Sequence, residues 1–415
     1  MSKQMHIALV AYYWPPSGGS GVQRWLFFVN AWVSAGVRVT VFVPKRPRVA
    51  EIDTSLQYES DERLTIVPVL GWEPMRANKT EIAENIANKK GLMARLSRWI
   101  RANFFIPDAR VFWAKAVTKT VIKMYAQSPF EVLITTGPPH SLHLVGLNLS
   151  NKIPIKWIAD FRDPWVDFFQ NNSLPMGSRA KKKQRALQES VVRTADHVVV
   201  TAPTLAAAFK EMTPAVSVLT NGYQKRLEQQ KNPSMGMLHT GSLKAQQNPE
   251  QLWAAIAALV KENEAFANHF SLCLYGSVAT SIKDSINDYG ISSWVHCKGY
   301  QPKALLDTIL PKAKALLLVG IAMPNTGNII HGKLFAYMAA GRPVLGIGPI
   351  PSDMQELFEK HKLGVYTGFT DVETIKDTLL QWFTKEKINF ASKGIEQYER
   401  SRVAKNYLDL IEELR

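Results

Sequence analysis

A strand, a glycine-rich turn, a helix and a second strand follow one another within the first 43 residues. This unit limits the fold more than any other feature of the chain. Residues 6–11 form a short apolar run. It passes into the turn Tyr12-Tyr13-Trp14-Pro15-Pro16-Ser17-Gly18-Gly19-Ser20-Gly21. Val22, Trp25, Leu26, Val29 and Trp32 then recur at helical spacing up to Gly36, and residues 37–43 are β-branched and strand-like. The period changes from two to 3.6 and back, as in a βαβ unit.

The alternation continues. Strands are expected at 131–135, 155–159 and 197–201, with helices at 141–149 and 181–193. The polar stretch from Thr220-Asn221-Gly222 through 225–233 reads as a connection, after which the pattern restarts. Further strands are expected at 237–240, 271–275, 295–298, 315–319 and 343–347, and an amphipathic helix or helix pair at 390–415. A chain of 415 residues fits two domains of roughly 150–200 residues. The expected division is 1–222, a Rossmann-like acceptor-side domain; 236–388, a Rossmann-like donor-binding domain; and 389–415, a helical segment packing back on the first. Alternating strands and helices predict an α/β fold of two parallel, doubly wound sheets. Such sheets bind ligands in the loops at the carboxyl ends of their strands.

The two cysteines, Cys273 and Cys297, cannot make a disulfide framework and form no Cys-x-x-Cys pair, which favours a reducing compartment. No apolar run approaches the roughly 18–20 residues that cross a bilayer, and the N-terminus passes directly into a strand. A cytoplasmic protein without a signal peptide is therefore expected. The net charge of +15 is uneven: residues 1–220 hold 28 Lys/Arg against 16 Asp/Glu, and residues 221–415 hold 22 against 19. A basic first half suits an anionic membrane or a phosphorylated acceptor. Nucleic acid is not expected, because no helix-turn-helix, zinc spacing or RNP motif is present.

Residues 89–104 carry Leu92, Leu96, Trp99 and Ile100 on one helical face and Arg95, Arg98 and Arg101 on the other, extended by Lys89, Lys90, Phe104 and Phe105. Two readings stand: a helix lying on a membrane, or a core helix with a basic solvent face. The run Arg179, Lys181, Lys182, Lys183 and Arg185 adds a second basic patch.

Six motifs occur in order: Pro15-Pro16-Ser17-Gly18-Gly19-Ser20-Gly21-Val22-Gln23-Arg24; Ile106-Pro107-Asp108; Thr136-Gly137-Pro138-Pro139-His140-Ser141; Trp157-Ile158-Ala159-Asp160-Phe161-Arg162-Asp163-Pro164-Trp165; His239-Thr240-Gly241-Ser242-Leu243; and Gly332-Lys333-Leu334-Phe335-Ala336-Tyr337 running on to Gly341-Arg342-Pro343. Together with Thr220-Asn221-Gly222-Tyr223, they resemble the bacterial surface-polysaccharide branch of glycosyltransferase family 4. The resemblance implies the GT-B fold, two Rossmann-like domains facing a central cleft. It also implies transfer from a nucleoside-diphosphate sugar to a glycan or lipid-linked acceptor, with retention, without a metal and without a cofactor. Relatives carry Glu where this chain has Ala336 and often Asn328. They carry Arg and Lys where it has Ser242 and Gln247, and His-Asp where it has Arg162-Asp163. These departures leave open a catalytically impaired GT-B protein that binds carbohydrate or acts as a scaffold.

Among single residues, Gly18, Gly19 and Gly21 precede a helix, where backbone can approach an anion closely. The spacing is not Gly-x-Gly-x-x-Gly, which argues against a dinucleotide. By the resemblance these glycines lie beside the donor, and Arg24 reaches the acceptor. Asp160, Arg162 and Asp163 end a strand. Asp160 suits a sugar hydroxyl or a developing positive charge, and Arg162 suits a phosphate. The alternative is a structural Asp–Arg pair closing the loop. His140 and His143 are either catalytic or helix-capping. Lys333, opening a helix behind Gly332, suits a diphosphate. Asn325 and Thr326 offer an amide and a hydroxyl to the sugar, and by the resemblance Gly276, Tyr300 and Gln301 flank the base. No metal-ligand spacing is present.

Overall fold

The computed structural model describes the chain except residues 1–3, 48–51, 54–55, 59, 74–91, 169–173, 231–232 and 386–387. Lys89 and Lys90 of the amphipathic stretch, and part of the 225–233 run, therefore lie outside the described residues.

The described residues separate into two compact units: 1–220 with 400–415, and 221–399. In the first, β1 (His6–Val10), β2 (Arg38–Pro44), β3 (Leu64–Val69), β4 (Val132–Gly137), β5 (Lys156–Phe161), β6 (His197–Val200) and β7 (Val216–Val218) form one sheet in the order β3-β2-β1-β4-β5-β6-β7. All of its pairings are parallel. Strands buried on both faces need continuous apolar runs, and β1 and β4 are buried at every position. The edge strand β3 tolerates Pro68, whose missing N–H would break a central ladder. Neither β3 nor the three-residue β7 was expected.

The Arg400–Leu414 helix belongs to this unit. It packs Tyr407 among Trp25, Phe28 and Trp32 of the Ser20–Ser34 helix, with ring centroids 5.4–5.9 Å apart. Trp32 Nε1 donates to the Ala404 carbonyl at 3.0 Å. Val403, Ala404, Tyr407 and Ile411 complete the core beneath β1 and β2.

In the second unit, β8 (Met235–Thr240), β9 (Leu272–Tyr275), β10 (Val295–Gly299), β11 (Ala313–Val319), β12 (Val344–Ile347) and β13 (Gly364–Thr367) form a parallel sheet in the order β10-β9-β8-β11-β12-β13. Apolar clusters cover both faces, around Trp253 on one side and Tyr337 on the other. The chain enters and leaves this unit side by side: Tyr223 bridges Glu399 and its N–H donates to the Tyr398 carbonyl at 3.0 Å. The pairing explains why residues 221–235 and 389–399 group with the second sheet.

Strand order reverses between β1 and β4 in one unit and between β8 and β11 in the other. Those two switch points are where the carboxyl-end loops part and leave a crevice.

Candidate active site residues

At the first switch point, the turn after β1 leads through Gly19 (φ 104°) into the Ser20–Ser34 helix. That helix carries no acidic residue in its own first turn. Arg162, at the end of β5, reaches back across β4 and donates to the Pro138 carbonyl. Its guanidinium lies on the α-carbon of Gly21: a Cβ there would sit 1.7 Å from Nη1. Glycine at 21 is thus a steric requirement of the arginine. A guanidinium against a helix N-terminus places positive charge beside positive potential, an arrangement that an anion would relieve. The charges of Asp163 and Asp160 both act on this group; burial raises the Asp163 pKa while Arg162 pulls it back.

Asp160 and Arg24 are buried and paired with each other. Asp160 is fully buried. Its Oδ2 accepts from Arg24 Nη2 at 3.2 Å and its Oδ1 from the Thr136 hydroxyl at 3.2 Å. Arg24, buried as well, also donates to the carbonyls of Thr220 (2.7 Å) and Leu219 (2.8 Å). A structural Asp–Arg pair, the alternative open from the sequence, exists, but its arginine comes from position 24 and not 162. The physical reason is desolvation, since a carboxylate this deep requires a paired cation.

His140 and His143 are not positioned as caps. The His140 ring stacks on Trp165, 5.2 Å between centroids and 5° between planes. Burial first, then the Arg162 charge, pushes its pKa down to about 3. Burial and the His140 and Arg162 charges hold His143 well below its usual range, and its Nδ1 bonds Thr135 Oγ1 at 3.0 Å. Both are neutral imidazoles. Both rings crowd Gly137, where a Cβ would approach each to 2.6 Å.

At the second switch point, the Lys333–Ala340 helix follows Gly332 and ends on Gly341 in the left-handed region (φ 62°), the usual helix stop. Lys333 extends to the end of β8. Its ammonium lies 3.1 Å from His239 Nε2 and 3.5 Å from the Ser242 carbonyl, and packs against Gly241. His239 Nδ1 is 2.9 Å from the Leu317 carbonyl, which can only accept. Nδ1 therefore carries the proton and Nε2 accepts from Lys333. Burial pushes the Lys333 pKa down to about 8. Burial, then the Lys333 charge, holds His239 well below its ordinary value. Among the described residues no carboxylate pairs with Lys333. Tyr337 fixes the floor of this corner by accepting from the Thr240 N–H at 2.9 Å and donating to the Leu317 carbonyl at 3.1 Å.

Glycine turns surround the lysine. Gly276 (φ 134°) leaves no room for a side chain, because a Cβ would sit 2.4 Å from the Gly241 carbonyl oxygen. Its N–H donates to Gly299 at 2.8 Å. Beyond Gly299, Tyr300 is exposed and Gln301 bonds the Lys298 carbonyl. Asn325 is exposed in the left-handed region (φ 61°). Thr326 is buried, and its hydroxyl lies 2.8 Å from the carbonyls of both Ile321 and Met323. Ser242 is exposed, whereas Gln247 is buried and donates to the Val319 carbonyl. Ala336 packs at the edge of the cluster around Tyr337.

His239 and Tyr337 were quoted within motifs but not chosen as site residues. The spacing Lys333 to Tyr337, one helical turn apart with both facing β8, was the available signal. No group of three or more His, Cys, Asp or Glu side chains among the described residues is placed to hold a metal.

No family model and no curated protein matches the sequence. Solved structures match over nearly the whole length. They include a sucrose-phosphate synthase of Thermosynechococcus elongatus (15% identity, TM-score 0.62, 99% of each chain covered). They also include the lipopolysaccharide outer core galactosyltransferase WaaB in its apo form (13%, 0.57, 99% of each chain). A third is a UDP-N-acetylglucosamine 2-epimerase-like protein of Listeria monocytogenes (9%, 0.55, 99% of this chain and 96% of that one). At these identities the likeness carries the architecture alone: the chain is a two-unit α/β protein of the GT-B fold.

Proposed function

We propose that this protein transfers a sugar from a nucleoside-diphosphate donor to a hydroxyl of a glycan or lipid-linked acceptor, as a family 4-like glycosyltransferase of the cell envelope. The observation that carries the reading is Lys333. A half-buried ammonium whose partners are a neutral imidazole and a carbonyl is incomplete without an anion. It stands at a switch point, beside glycine turns and a helix start, where a diphosphate fits. Neutralising that diphosphate as it departs stabilises the transition state more than the ground state. Gly276, Tyr300, Gln301, Asn325 and Ser242 stay proposed as donor neighbours. Gly18, Gly19, Gly21, Arg162, Asp163 and the neutral His140 stay proposed as surroundings of a phosphate at the first switch point. The reading includes retention, no metal and a cytoplasmic site of action.

A second reading, a donor-binding scaffold without turnover, draws on Asp160 being consumed by Arg24 and on Ala336 where relatives carry Glu. Thermal shift with UDP-, GDP-, dTDP- and ADP-sugars tests the first step, since a ligand of the folded state raises its melting temperature. Donor consumption with membrane extract tests the second. A stabilising donor that is consumed supports the transferase. A donor that binds, is never consumed, and gains affinity in Ala336→Glu without turnover supports the scaffold. No stabilisation by any donor, in the parent or in Ala336→Glu, overturns both.

A further inference from the structure

The Leu92–Phe104 helix points its apolar side away from the body of the first unit. Met93, Leu96, Ile100 and Phe104 fall on one stripe at helical spacing, and all four are exposed, Leu96 by 48% and Phe104 by 68%. Ala102, on the opposite side, is buried. Trp99, 45% exposed, flanks the stripe and meets Phe104 with centroids 5.7 Å apart. The core-helix alternative from the sequence thus fails: the apolar face is outside.

The exposed apolar surface continues beyond the helix. Phe105, next to Phe104, packs on Phe112 at 6.0 Å, and Phe112 packs on Trp72 at 4.8 Å. Trp72 is 62% exposed, and Leu70 beside it is exposed too. The turn bearing Trp72 is fastened from below, because Trp113 Nε1 donates to the Val69 carbonyl at 3.1 Å and Gly71 sits on the Trp113 ring.

Cations rim this surface. Arg95 and Arg101 are exposed on the same helix, with Arg98 half-buried, and Lys115 lies over the Phe112 ring at 5.5 Å. Asn103 bonds the Pro175 carbonyl and the Gly177 N–H. It thereby docks the start of the Ser178–Thr194 helix, with exposed Arg179, Lys181, Lys182, Lys183 and Arg185, against this helix.

We propose that this surface seats the protein on an anionic lipid bilayer, the helix lying in the interface with Leu96, Ile100 and Phe104 entering the acyl boundary. Charge complementarity selects the occupant. Basic side chains ring an aromatic and aliphatic stripe, tryptophan and phenylalanine favour the headgroup boundary, and residues 1–220 carry an excess of 12 positive charges. The inference stands apart from sugar transfer, because nothing in it depends on Lys333.

The test is flotation of the full chain with vesicles of phosphatidylcholine alone or mixed with phosphatidylglycerol, with light scattering of the free protein. The parent is expected to float only with the anionic vesicles, less so in high salt. Leu96→Ser with Phe104→Ser, both exposed, is expected to cut binding at least tenfold with an unchanged melting temperature. The single variant Trp99→Phe is expected to lose part of the fluorescence quenching by brominated acyl chains. Arg95→Gln with Arg101→Gln is expected to lose roughly fivefold per arginine. Undiminished flotation of the Ser pair overturns the proposal, as does equal binding to neutral vesicles. A parent dimer that becomes monomeric in the Ser pair also overturns it and assigns the face to a second copy of the chain.

Discussion

The ammonium of Lys333 lies 3.1 Å from Nε2 of His239, an imidazole whose other nitrogen is committed to the Leu317 carbonyl. One helix start and one strand end, 94 residues apart, thereby hold a lysine at the second switch point. Lys333→Ala is expected to weaken binding of a nucleoside diphosphate by about ten- to a hundredfold, the worth of a lost charged hydrogen bond at roughly 1.5–3 kcal/mol. His239→Asn, which only slackens the lysine, is expected to cost less. Isothermal titration with the nucleotide that gives the largest thermal shift measures both. Equal affinity in Lys333→Ala and parent would remove the lysine from the donor site.

The same pair sets a pH dependence. The Lys333 pKa is depressed from 10.5 to about 8 in the folded protein. Between those values the unfolded chain binds the extra proton, so the depressed lysine costs stability below about 8 and the cost fades as pH rises to 10.5. Ligand affinity runs the other way: the bound anion favours the ammonium, so affinity falls as pH climbs through about 8. Titrations in buffers of different ionisation enthalpy should show proton uptake on binding above pH 8. The absence of uptake there would mean that the lysine does not face the anion.

The buried pair Arg24–Asp160 is expected to be structural. Removing one partner leaves the other charge unpaired in the core, which costs about 3–5 kcal/mol. Asp160→Asn and Arg24→Met should each lower the melting temperature of the first unit markedly, and the double variant should recover part of the loss. A stable Asp160→Asn protein that binds donor but no longer consumes it would return this carboxylate to the chemistry.

Gly276→Ala is expected to abolish donor binding with modest loss of stability. The added methyl must displace the Gly241 carbonyl beneath Lys333, and φ of 134° is itself strained for alanine. Gly290→Ala, also at positive φ but in open space, serves as the control. Matched loss of binding in both would point to general destabilisation.

Some of this was visible in the sequence. Most strands of both sheets were, because β1, β2 and β11 carry the mainly apolar or β-branched runs 7–10, 39–43 and 315–319, and Gly341 marked its helix end; Gly364–Thr367, too short to stand out, was not. The strand Leu64–Val69 was hidden by Pro68, and Val216–Val218 by its three-residue length. The partner of Asp160 could not be read, since Arg24 lies 136 residues away and no local pattern records such a pairing. The nearer Arg162 was the natural but mistaken choice. The direction of the Leu92–Phe104 helix was undecidable for a related reason: an amphipathic repeat identifies two faces without saying which one meets the body.

The placement of Tyr407 has a consequence for biosynthesis. Residues 400–415 leave the ribosome only after the whole second unit, yet their helix closes the core built by Trp25, Phe28 and Trp32. The second unit, residues 221–399, is a contiguous stretch with its whole core in hand once it has cleared the exit tunnel. The unit begun first is therefore completed only after the second. Its aromatic cluster stays uncovered while the other half is synthesised, and it is the part a nascent-chain chaperone would have to shield. A stop codon at Arg400 should accordingly spare the C-terminal half of the protein and cripple the N-terminal one.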